Sequence, residues 1–371
     1  MDDCYRIADT SSIITPALIV FRDMVEQNLA HMIEIAGNPS RLRPHCKTHK
    51  TKEIVQMQME RGITKHKCAT FAEAEMCAEA GAKDIFLAYS LVGPNIARAV
   101  EFVSTFTDVE FCVTGDHARP LTQLGEAMSA AGKSIGILLD IDTGQHRTGL
   151  AVGEAAREVY RLIVETDGLT PAGLHVYDGH QHQLERDDRR AAINIEWEKV
   201  IAFRDGLLAE GWPVGKIVCG GTGSFPVYAE KDDPTVEMSP GTCVYNDIGY
   251  SEHFPDMVFP PATLLLTRVI SRPTDDRVTV DLGYKAVASD PPAGKRSVFP
   301  DLPDAQQVLQ NEEHLVLETS SAGEFTPGDE LFAVPRHICP TSALHKEVYV
   351  VSGGELIGTW TIASRDRKLT I

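Results

Sequence analysis

Short apolar runs alternate with amphipathic stretches through the first 250 residues of the chain. Residues 17–21 form an apolar lead-in run, and apolar side chains then recur with a 3.6-residue period from about Asp23 to Ala36, which predicts a strand followed by a helix. Eight further strands are predicted at residues 42–46, 66–69, 85–88, 109–113, 135–140, 173–177, 217–220 and 236–239. Helical patterns separate most of them, for example at residues 72–80, 95–104 and 195–208. This alternation predicts an α/β fold, a (β/α)8 TIM-type barrel, and the pattern alone also allows a doubly wound open sheet.

The pattern changes near residue 250. From there, strands are predicted at residues 263–270, 277–282, 314–318, 330–334, 348–352 and 359–362, between turns rich in Pro, Gly and Asp. A C-terminal, mostly-β domain is therefore expected. We place the barrel at residues 13–250 and the β domain at residues 251–371, with residues 1–12 as a possible addition to the β domain.

Overall composition narrows the classes of function. The formal net charge of -18 argues against a nucleic-acid binder and against docking on an anionic membrane surface. No run of about 18 apolar residues is long enough to span a bilayer, and the acidic start of the chain does not resemble a signal peptide. The eight cysteines include no CxxC pair, which is typical of reduced thiols, so a cytoplasmic protein is expected.

Chemically reactive side chains follow the predicted strands directly. RPHCKTHK (residues 43–50) overlaps and follows the first strand, DTGQHRTG (142–149) the fifth, YDGHQH (177–182) the sixth, CGGTGS (219–224) the seventh and PGTC (240–243) the eighth. Barrel enzymes build their active sites at the C-terminal ends of the strands. The sequence therefore predicts that these five segments share one active site.

Two of these segments suggest cofactor binding. Lys47 lies where a strand meets a loop, where partial desolvation frees an amine to form an imine, although lysines in basic stretches are usually exposed. The glycine-rich turn at residues 220–224 can aim backbone N–H groups at an anion, and an ordinary turn is the alternative. The turn lies after strand seven, beside the loop after strand eight, and barrels commonly bind phosphate there.

A second chemical site is predicted in the β domain. If residues 337–339 are extended, His337 and Cys339 point to one side, and imidazole with thiolate suits Zn²⁺. The alternative is a buried thiol beside a hydrogen-bonded histidine. In the barrel, His180 and His182 are candidate bases, with Asp178 able to orient one of them, or they are simply loop histidines.

Taken together, the segments resemble the D-threonine aldolase / D-serine dehydratase family, a group of fold-type III pyridoxal-phosphate (PLP) enzymes related to alanine racemase. The resemblance extends over nearly the whole chain, from TPALIV (residues 15–20) through RPHCKTHK, GQHRTG and GGTGS to HICPT (337–341). RPHxKTHK and HxCPT together are specific, whereas either motif alone is weak.

The resemblance implies a role for each matching residue. Lys47 is implied as the lysine that binds PLP, with His45, Arg147 and Tyr177 beside the cofactor. The implied phosphate site consists of Gly221, Thr222, Gly223, Gly241 and Thr242. His337 and Cys339 are implied as metal ligands, with Zn²⁺ favoured by the thiolate and Mn²⁺ or Mg²⁺ as alternatives. A head-to-tail homodimer is implied as well.

The implied activity is a lyase reaction on D-3-hydroxy amino acids. An aldolase, our first prediction, would cleave D-threonine to glycine and acetaldehyde with His180 or His182 as base. A dehydratase acting on D-serine or D-3-hydroxyaspartate is the alternative: His-x-Cys is typical of dehydratases, whereas the Tyr-x-Gly loop at Tyr177 is typical of aldolases. An amino-acid racemase and a non-catalytic PLP-binding protein are further alternatives.

Overall fold

The computed structural model describes residues 3–371, and within them the chain forms two compact units. The barrel unit comprises Met32–Lys47, Lys52–Gly241 and Asp366–Ile371. The β unit comprises the chain up to His31, Thr48–Thr51 and Thr242–Arg365. The first strand and the first α-helix are β1 (Ala17–Phe21) and α1 (Arg22–Ala36), where the apolar run and the 3.6-residue period predicted them.

Within the described residues, the barrel unit contains a sheet of seven parallel strands that pair in chain order. They are β2 (Lys65–Cys68), β3 (Asp84–Ser90), β4 (Glu110–Gly115), β5 (Ile135–Ile141), β6 (Leu169–Val176), β7 (Lys216–Cys219) and β8 (Val236–Met238). The helices are α2 (Lys52–Glu60), α3 (Phe71–Glu79), α4 (Pro94–Thr105), α5 (Ala118–Ala130), α6 (Glu154–Glu165), α7 (Arg186–Ala209) and α8 (Phe225–Ala229). Every strand-to-strand connection thus carries a helix, as parallel pairing requires.

The predicted strand at residues 42–46 is the exception, and that prediction is wrong in detail. The segment makes isolated parallel bridges at Leu42, to Met238, and at His45, to Lys67. Pro44 has no N–H to donate, so a continuous ladder cannot form. The segment nevertheless pairs with both edge strands, β8 and β2, which confirms the predicted barrel-type arrangement over the open sheet.

The inside of the barrel is layered. An apolar layer contains Phe86, Cys112, Leu138 and Val218. Towards the N-terminal ends of the strands, the fully buried Arg43 binds both carboxylate oxygens of Asp84, at 2.7 and 2.8 Å, and its Nε lies 2.6 Å from Glu237. These charged partners anchor the segment that leads to Lys47.

The β unit contains a mixed sheet in the order β12-β13-β10-β9-β1-β15-β16, with β14 paired to β9 and to β11. Its strands are β9 (Thr263–Thr274), β10 (Arg277–Val280), β11 (Ser297–Val298), β12 (Gln306–Gln310), β13 (Leu315–Glu318), β14 (Glu330–Pro335), β15 (Glu347–Ser352) and β16 (Glu355–Thr361). Two short helices are α9 (Ile248–His253) and α10 (Ile338–Leu344). The lead-in strand β1 belongs to this sheet, where it lies parallel to β15 and antiparallel to β9.

Two further observations concern the described residues. Across residues 3–371, no helix combines the length and the apolar character that crossing a bilayer would require. The cysteines within the same range form no disulfide bond.

Candidate active site and metal centre

Lys47 leaves the barrel at the C-terminal end of the bridged segment, where its side chain is half-buried. Its backbone N–H donates to Nδ1 of His45 at 3.3 Å. The preceding residue, Cys46, donates its N–H to the carbonyl of Lys67 at 2.9 Å, and Lys67 donates its N–H to the carbonyl of Pro44 at 2.9 Å. The backbone before Lys47 is therefore fixed against β2.

Tyr177 follows β6, and its ring lies close to the Arg147 guanidinium and to the backbone of two glycines. The guanidinium of Arg147 lies 4.8 Å from the centre of its ring. A Cβ atom at Gly221 would lie 3.2 Å from Cε2 of Tyr177, and one at Gly179 would lie 2.3 Å from its hydroxyl oxygen. Glycine is thus needed at residue 179 for the chain to pass the ring, and at residue 221 it leaves backbone alone facing the ring.

The glycine-rich turn after β7 is held by a buried carboxylate. Gly220 adopts φ +71°, a conformation that favours glycine. Ser224 Oγ accepts the N–H of Gly221 at 3.0 Å and donates to Asp178 at 2.7 Å, and the Tyr228 hydroxyl donates to the same carboxylate at 3.0 Å. Burial raises the pKa of Asp178, although these bonds oppose it. Asp178 thus fixes this turn, and it also interacts electrostatically with His180.

The two turns assigned to phosphate binding are tied together. The N–H of Gly241 donates to Thr222 Oγ1 at 3.1 Å, and Thr222, Gly223 and Gly241 are all buried. Gly221 is half-buried. Thr242, the last residue of the predicted set, belongs to the β unit, where its Oγ1 lies 3.5 Å from Cys339 Sγ.

Buried polar atoms that have no hydrogen-bond partner among residues 3–371 include three that follow barrel strands at their C-terminal ends. They are Thr143 Oγ1 after β5, His180 Nδ1 after β6 and Ser239 Oγ after β8. Buried polar groups are normally hydrogen-bonded, so a group of such atoms at one end of a barrel is expected where a polar ligand binds. The amine of Lys47, the Arg147–Tyr177 pair and the glycine turns fit a cofactor with an aldehyde, an aromatic ring and a phosphate.

The two candidate base histidines differ in burial. His182 is exposed, whereas His180 is half-buried. His180 Nε2 lies 3.0 Å from the amide nitrogen of Gln181, and a Cβ at Gly144 would lie 3.3 Å from the same ring nitrogen. The loop after β5 therefore packs against His180, which makes this histidine the better placed of the two.

Sequence reasoning missed a buried triad inside the barrel. Lys67 Nζ lies 2.8 Å from His175 Nε2, and His175 Nδ1 lies 2.6 Å from Asp140 Oδ1. The three side chains are between 3% and 5% exposed. Asp140 and His175 each interrupt an apolar run near the C-terminal end of a strand, and that interruption was the available signal for these two, whereas Lys67 lies in the polar run of residues 65–67.

The local electrostatics disfavour a charged Lys67. Burial and the neighbouring cation Lys47 lower the pKa of Lys67 to about 7, against the partial opposition of Asp140. The pKa of His175 is also lowered, by burial and by Lys67. Burial alone would raise the pKa of Asp140, but His175 and its hydrogen bond bring it below its usual value.

The predicted metal pair lies at the start of α10. His337 is the residue before the helix and Cys339 lies in its first turn, so the expectation of an extended segment is wrong. Pro340 is tolerated there because the first turn of a helix leaves its N–H groups without helical acceptors. His337 Nδ1 lies 2.5 Å from Asp290, and Cys339 Sγ lies 3.1 Å from Thr48 Oγ1.

The donor set of this pair suits a divalent metal. Burial lowers the pKa of His337, but Cys339 and Asp290 outweigh it and raise the pKa to about 9. Imidazole beside a thiol is a typical partial ligand set for Zn²⁺, and a carboxylate on the other ring nitrogen is the usual outer partner of a metal-binding histidine. His337 and Cys339 therefore fit a metal ion.

Another cluster of soft donors lies inside the barrel unit. The sulfur atoms of Cys46, Cys68 and Cys77 lie within 4.8 Å of one another. Cys46 also approaches Glu73 at 3.6 Å. Hydrogen bonds among the thiols account for this arrangement.

Two family models match the chain. The alanine racemase N-terminal domain matches residues 20–248, and a putative serine dehydratase domain matches residues 262–351. The first covers the barrel strands, and the second includes the His337–Cys339 pair.

Characterised proteins match over nearly the full length. The chain is 30% identical to a D-threonine aldolase of Arthrobacter sp over 356 residues, which cover 95% of this chain and 92% of the relative. It is 24% identical to a D-threo-3-hydroxyaspartate dehydratase of Delftia sp. (strain HT23), covering 93% and 96%. Among solved structures, a D-threonine aldolase from Filomicrobium marinum matches with a TM-score of 0.88 and 29% identity, covering 95% of this chain and 96% of that one.

Proposed function

The chain belongs to the alanine racemase-like family that includes the D-threonine aldolases and serine dehydratases, and on this basis we propose that it is a PLP-dependent lyase of the D-threonine aldolase type. Its substrates are D-3-hydroxy amino acids, which it cleaves to glycine and an aldehyde. D-Threonine, which yields glycine and acetaldehyde, represents this class. The similarity to aldolases over the whole chain supports the proposal.

The observation that carries the aldolase assignment is the state of His180. Its Nε2 lies 3.0 Å from the amide nitrogen of Gln181, which can only donate, so Nε2 carries the lone pair of the neutral ring and Nδ1, which has no partner within residues 3–371, carries the proton. A retro-aldol reaction needs a base for the substrate hydroxyl, and Nε2 is the nitrogen of His180 that can accept that proton in place of the Gln181 amide. His182, which is exposed, is the weaker candidate.

The residues assigned to cofactor binding have separate roles. Lys47 would provide the amine that holds the cofactor, Arg147 and Tyr177 would contact its ring beside His45, and Gly221, Thr222, Gly223, Gly241 and Thr242 would hold its phosphate. When bound, PLP would supply an aldehyde for the substrate amine and an electron sink for charge that develops at Cα. His180 accepts the hydroxyl proton, the Cα–Cβ bond breaks, and the former hydroxyl carbon becomes the aldehyde.

His337 and Cys339 would bind a divalent metal ion that acts as a Lewis acid for the substrate hydroxyl. The thiolate favours Zn²⁺, with Mn²⁺ and Mg²⁺ as alternatives. A variant of a D-threo-3-hydroxyaspartate dehydratase has been solved in a metal-free form, which supports a metal in that protein. We expect EDTA, or Cys339→Ala, to lower kcat at least about 100-fold, with Zn²⁺ restoring the chelated enzyme. Full turnover in EDTA would contradict a metal mechanism.

A dehydratase is the second candidate function. Its support is the His-x-Cys pair, together with the serine dehydratase domain that spans it. D-Serine would then give pyruvate and ammonia. The same residues would bind the cofactor, and Lys47, once released from it, would remove the Cα proton.

A side-by-side product assay separates the two. Purified enzyme with PLP and Zn²⁺ is offered D-threonine and D-serine, and acetaldehyde and pyruvate are measured. We expect acetaldehyde to form faster, with L-threonine and L-serine as inactive controls. Faster pyruvate formation would move the assignment to dehydratase.

We also propose a homodimer, as the family resemblance implies, in a reducing cytoplasm. Sedimentation of the purified holoenzyme tests the first point. A monomeric, fully active species would contradict it.

A further inference from the structure

Lys67 is a buried amine that the proposed chemistry leaves unused. It is 3% exposed, although lysines are almost never fully buried without a charged partner. Its Nζ lies 5.4 Å from the ring centre of Tyr177 and 5.9 Å from that of Phe86. Because Arg147 contacts the same Tyr177 ring, Lys67 borders the residues that we propose hold the cofactor.

The hydrogen bonds around Lys67 have a defined direction. Asp140, with its lowered pKa, is a carboxylate and accepts from Nδ1–H of His175. That assignment leaves His175 Nε2 as an acceptor, so the Lys67 amine donates to it. The order carboxylate, imidazole, amine is the arrangement by which proteins orient and activate a nucleophile or base.

The topology shows that this contact is long-range. In the ring formed by β2 to β8 and the bridged segment, β2 and β6 lie four positions apart in either direction. Lys67 on β2 therefore extends across the interior to His175 on β6, where Asp140 is the direct register partner of His175 on β5. A side chain that only filled space would not need this polar partnership.

Charged and titratable groups around Lys67 hold its pKa to about 7, so both of its protonation states are populated near neutral pH. Burial, Lys47 and Arg147 lower the pKa, whereas Asp140 and Cys219 raise it. An acid–base group works best when its pKa is near the working pH.

We propose that Lys67 is a further acid–base residue of the cofactor pocket and delivers the proton that Cα of the substrate receives after the carbon–carbon bond breaks. This inference rests on the proposed lyase function. The reaction removes one proton from the hydroxyl and adds one to Cα. His180 takes the first, and Lys67 as ammonium gives up one N–H proton to Cα and becomes the neutral amine. It regains a proton from water when glycine leaves, while His175 and Asp140 fix its orientation.

The first test is independent of turnover. The full-length protein without cofactor is labelled with ε-¹³C-lysine, and Nζ of Lys67 is titrated by NMR, with the Lys67→Arg spectrum identifying its signal. We expect a midpoint near pH 7. A midpoint near pH 10, the ordinary lysine range, would overturn the proposal.

The second test isolates the Cα step. The holoenzyme exchanges a Cα proton of glycine in D₂O, a half-reaction that does not involve the substrate hydroxyl. We expect Lys67→Arg, which keeps the charge but cannot lose a proton, and Lys67→Met each to slow this exchange at least about 100-fold with the cofactor still bound. Exchange at the wild-type rate in Lys67→Arg would overturn the proposal and leave this step to Lys47.

Two further variants serve as matched controls for the Cα step. Lys65→Met lies on the same strand, paired with Glu237, and should leave exchange unchanged. His180→Asn should lose D-threonine cleavage but keep glycine exchange. If the wild-type enzyme cleaves no D-3-hydroxy amino acid, the proposed function fails and this inference fails with it. If the wild type cleaves D-threonine and Lys67→Arg exchanges glycine normally, only this inference fails.

Discussion

Two lysines on strand β2 lie two residues apart on the same face, yet they have opposite surroundings. Lys65, at the N-terminal end, places Nζ 2.6 Å from Glu237, which also binds the fully buried Arg43. Lys67, near the C-terminal end, donates to a histidine, and burial together with nearby cations lowers its pKa. Strand β2 thus places one lysine among paired charges and the other among groups that can exchange a proton.

The difference shows how the barrel separates stability from chemistry. At the N-terminal end, Arg43 lowers the pKa of both Asp84 and Glu237, although burial alone would raise them, so every group keeps its charge. At the C-terminal end, Lys67 approaches neutrality near pH 7 instead. A paired charge stabilises the fold, whereas an amine that exchanges its proton near neutral pH is suited to catalysis.

The largest expected effect comes from removing the cofactor amine at the reactive end. Lys47→Ala should abolish the visible absorption band of the bound cofactor and all lyase activity, because no imine to residue 47 can form. Absorption spectra and borohydride reduction followed by peptide mass mapping measure this. Lys65→Ala is the matched control and should keep the band. A reducible band mapped to another lysine in Lys47→Ala would show that the assignment is wrong.

A smaller effect, on stability alone, is expected at the paired end. Glu237→Gln should lower the free energy of unfolding by about 3–5 kcal/mol, because it leaves Arg43 buried with part of its charge uncompensated. Chemical denaturation measures this loss. The kcat at a temperature where the variant is folded should match the wild type. A loss of kcat with unchanged stability would contradict the division between the two ends.

The smallest effect is a stability gain at the reactive end. In the cofactor-free protein, Lys67→Met should raise the free energy of unfolding at pH 7 by roughly 2–4 kcal/mol, since it removes the cost of neutralising a buried lysine but leaves His175 without its donor.

The difference in the free energy of unfolding between Lys67→Met and the wild type should depend on pH. Between pH 7 and 10.5, the unfolded wild-type chain holds a proton on residue 67 that the folded chain has lost, so wild-type stability rises with pH in that window. The advantage of Lys67→Met should therefore shrink as the pH approaches 10.5. A difference between the two proteins that does not change with pH would show that Lys67 keeps its ordinary pKa.

Alternation of apolar runs was sufficient to predict the strands and helices of the barrel unit, because a buried strand is apolar along its length, but it did not separate a barrel from a doubly wound open sheet. The segment at residues 42–46 was harder, since Pro44 interrupts the ladder while the flanking residues still pair. The extended form expected for residues 337–339 was wrong, and Pro340 was the overlooked signal for the first turn of a helix.

Residues that act through distant partners were not predictable in the same way. Lys47 was singled out by its motif, whereas Lys67 contacts His175 108 residues away. No local pattern encodes which strands face each other across a ring. The signal that the sequence did contain was a lysine, Lys67, within the short strand predicted at residues 66–69.

Both backbone hydrogen bonds of Lys67 are made to residues just ahead of Lys47, with the Pro44 carbonyl and the Cys46 N–H as partners. The main-chain positions of residues 47 and 67 are therefore held close to one another, whatever side chain stands at residue 67. Exchange of that side chain therefore leaves in place the backbone hydrogen bonds that support the segment carrying Lys47.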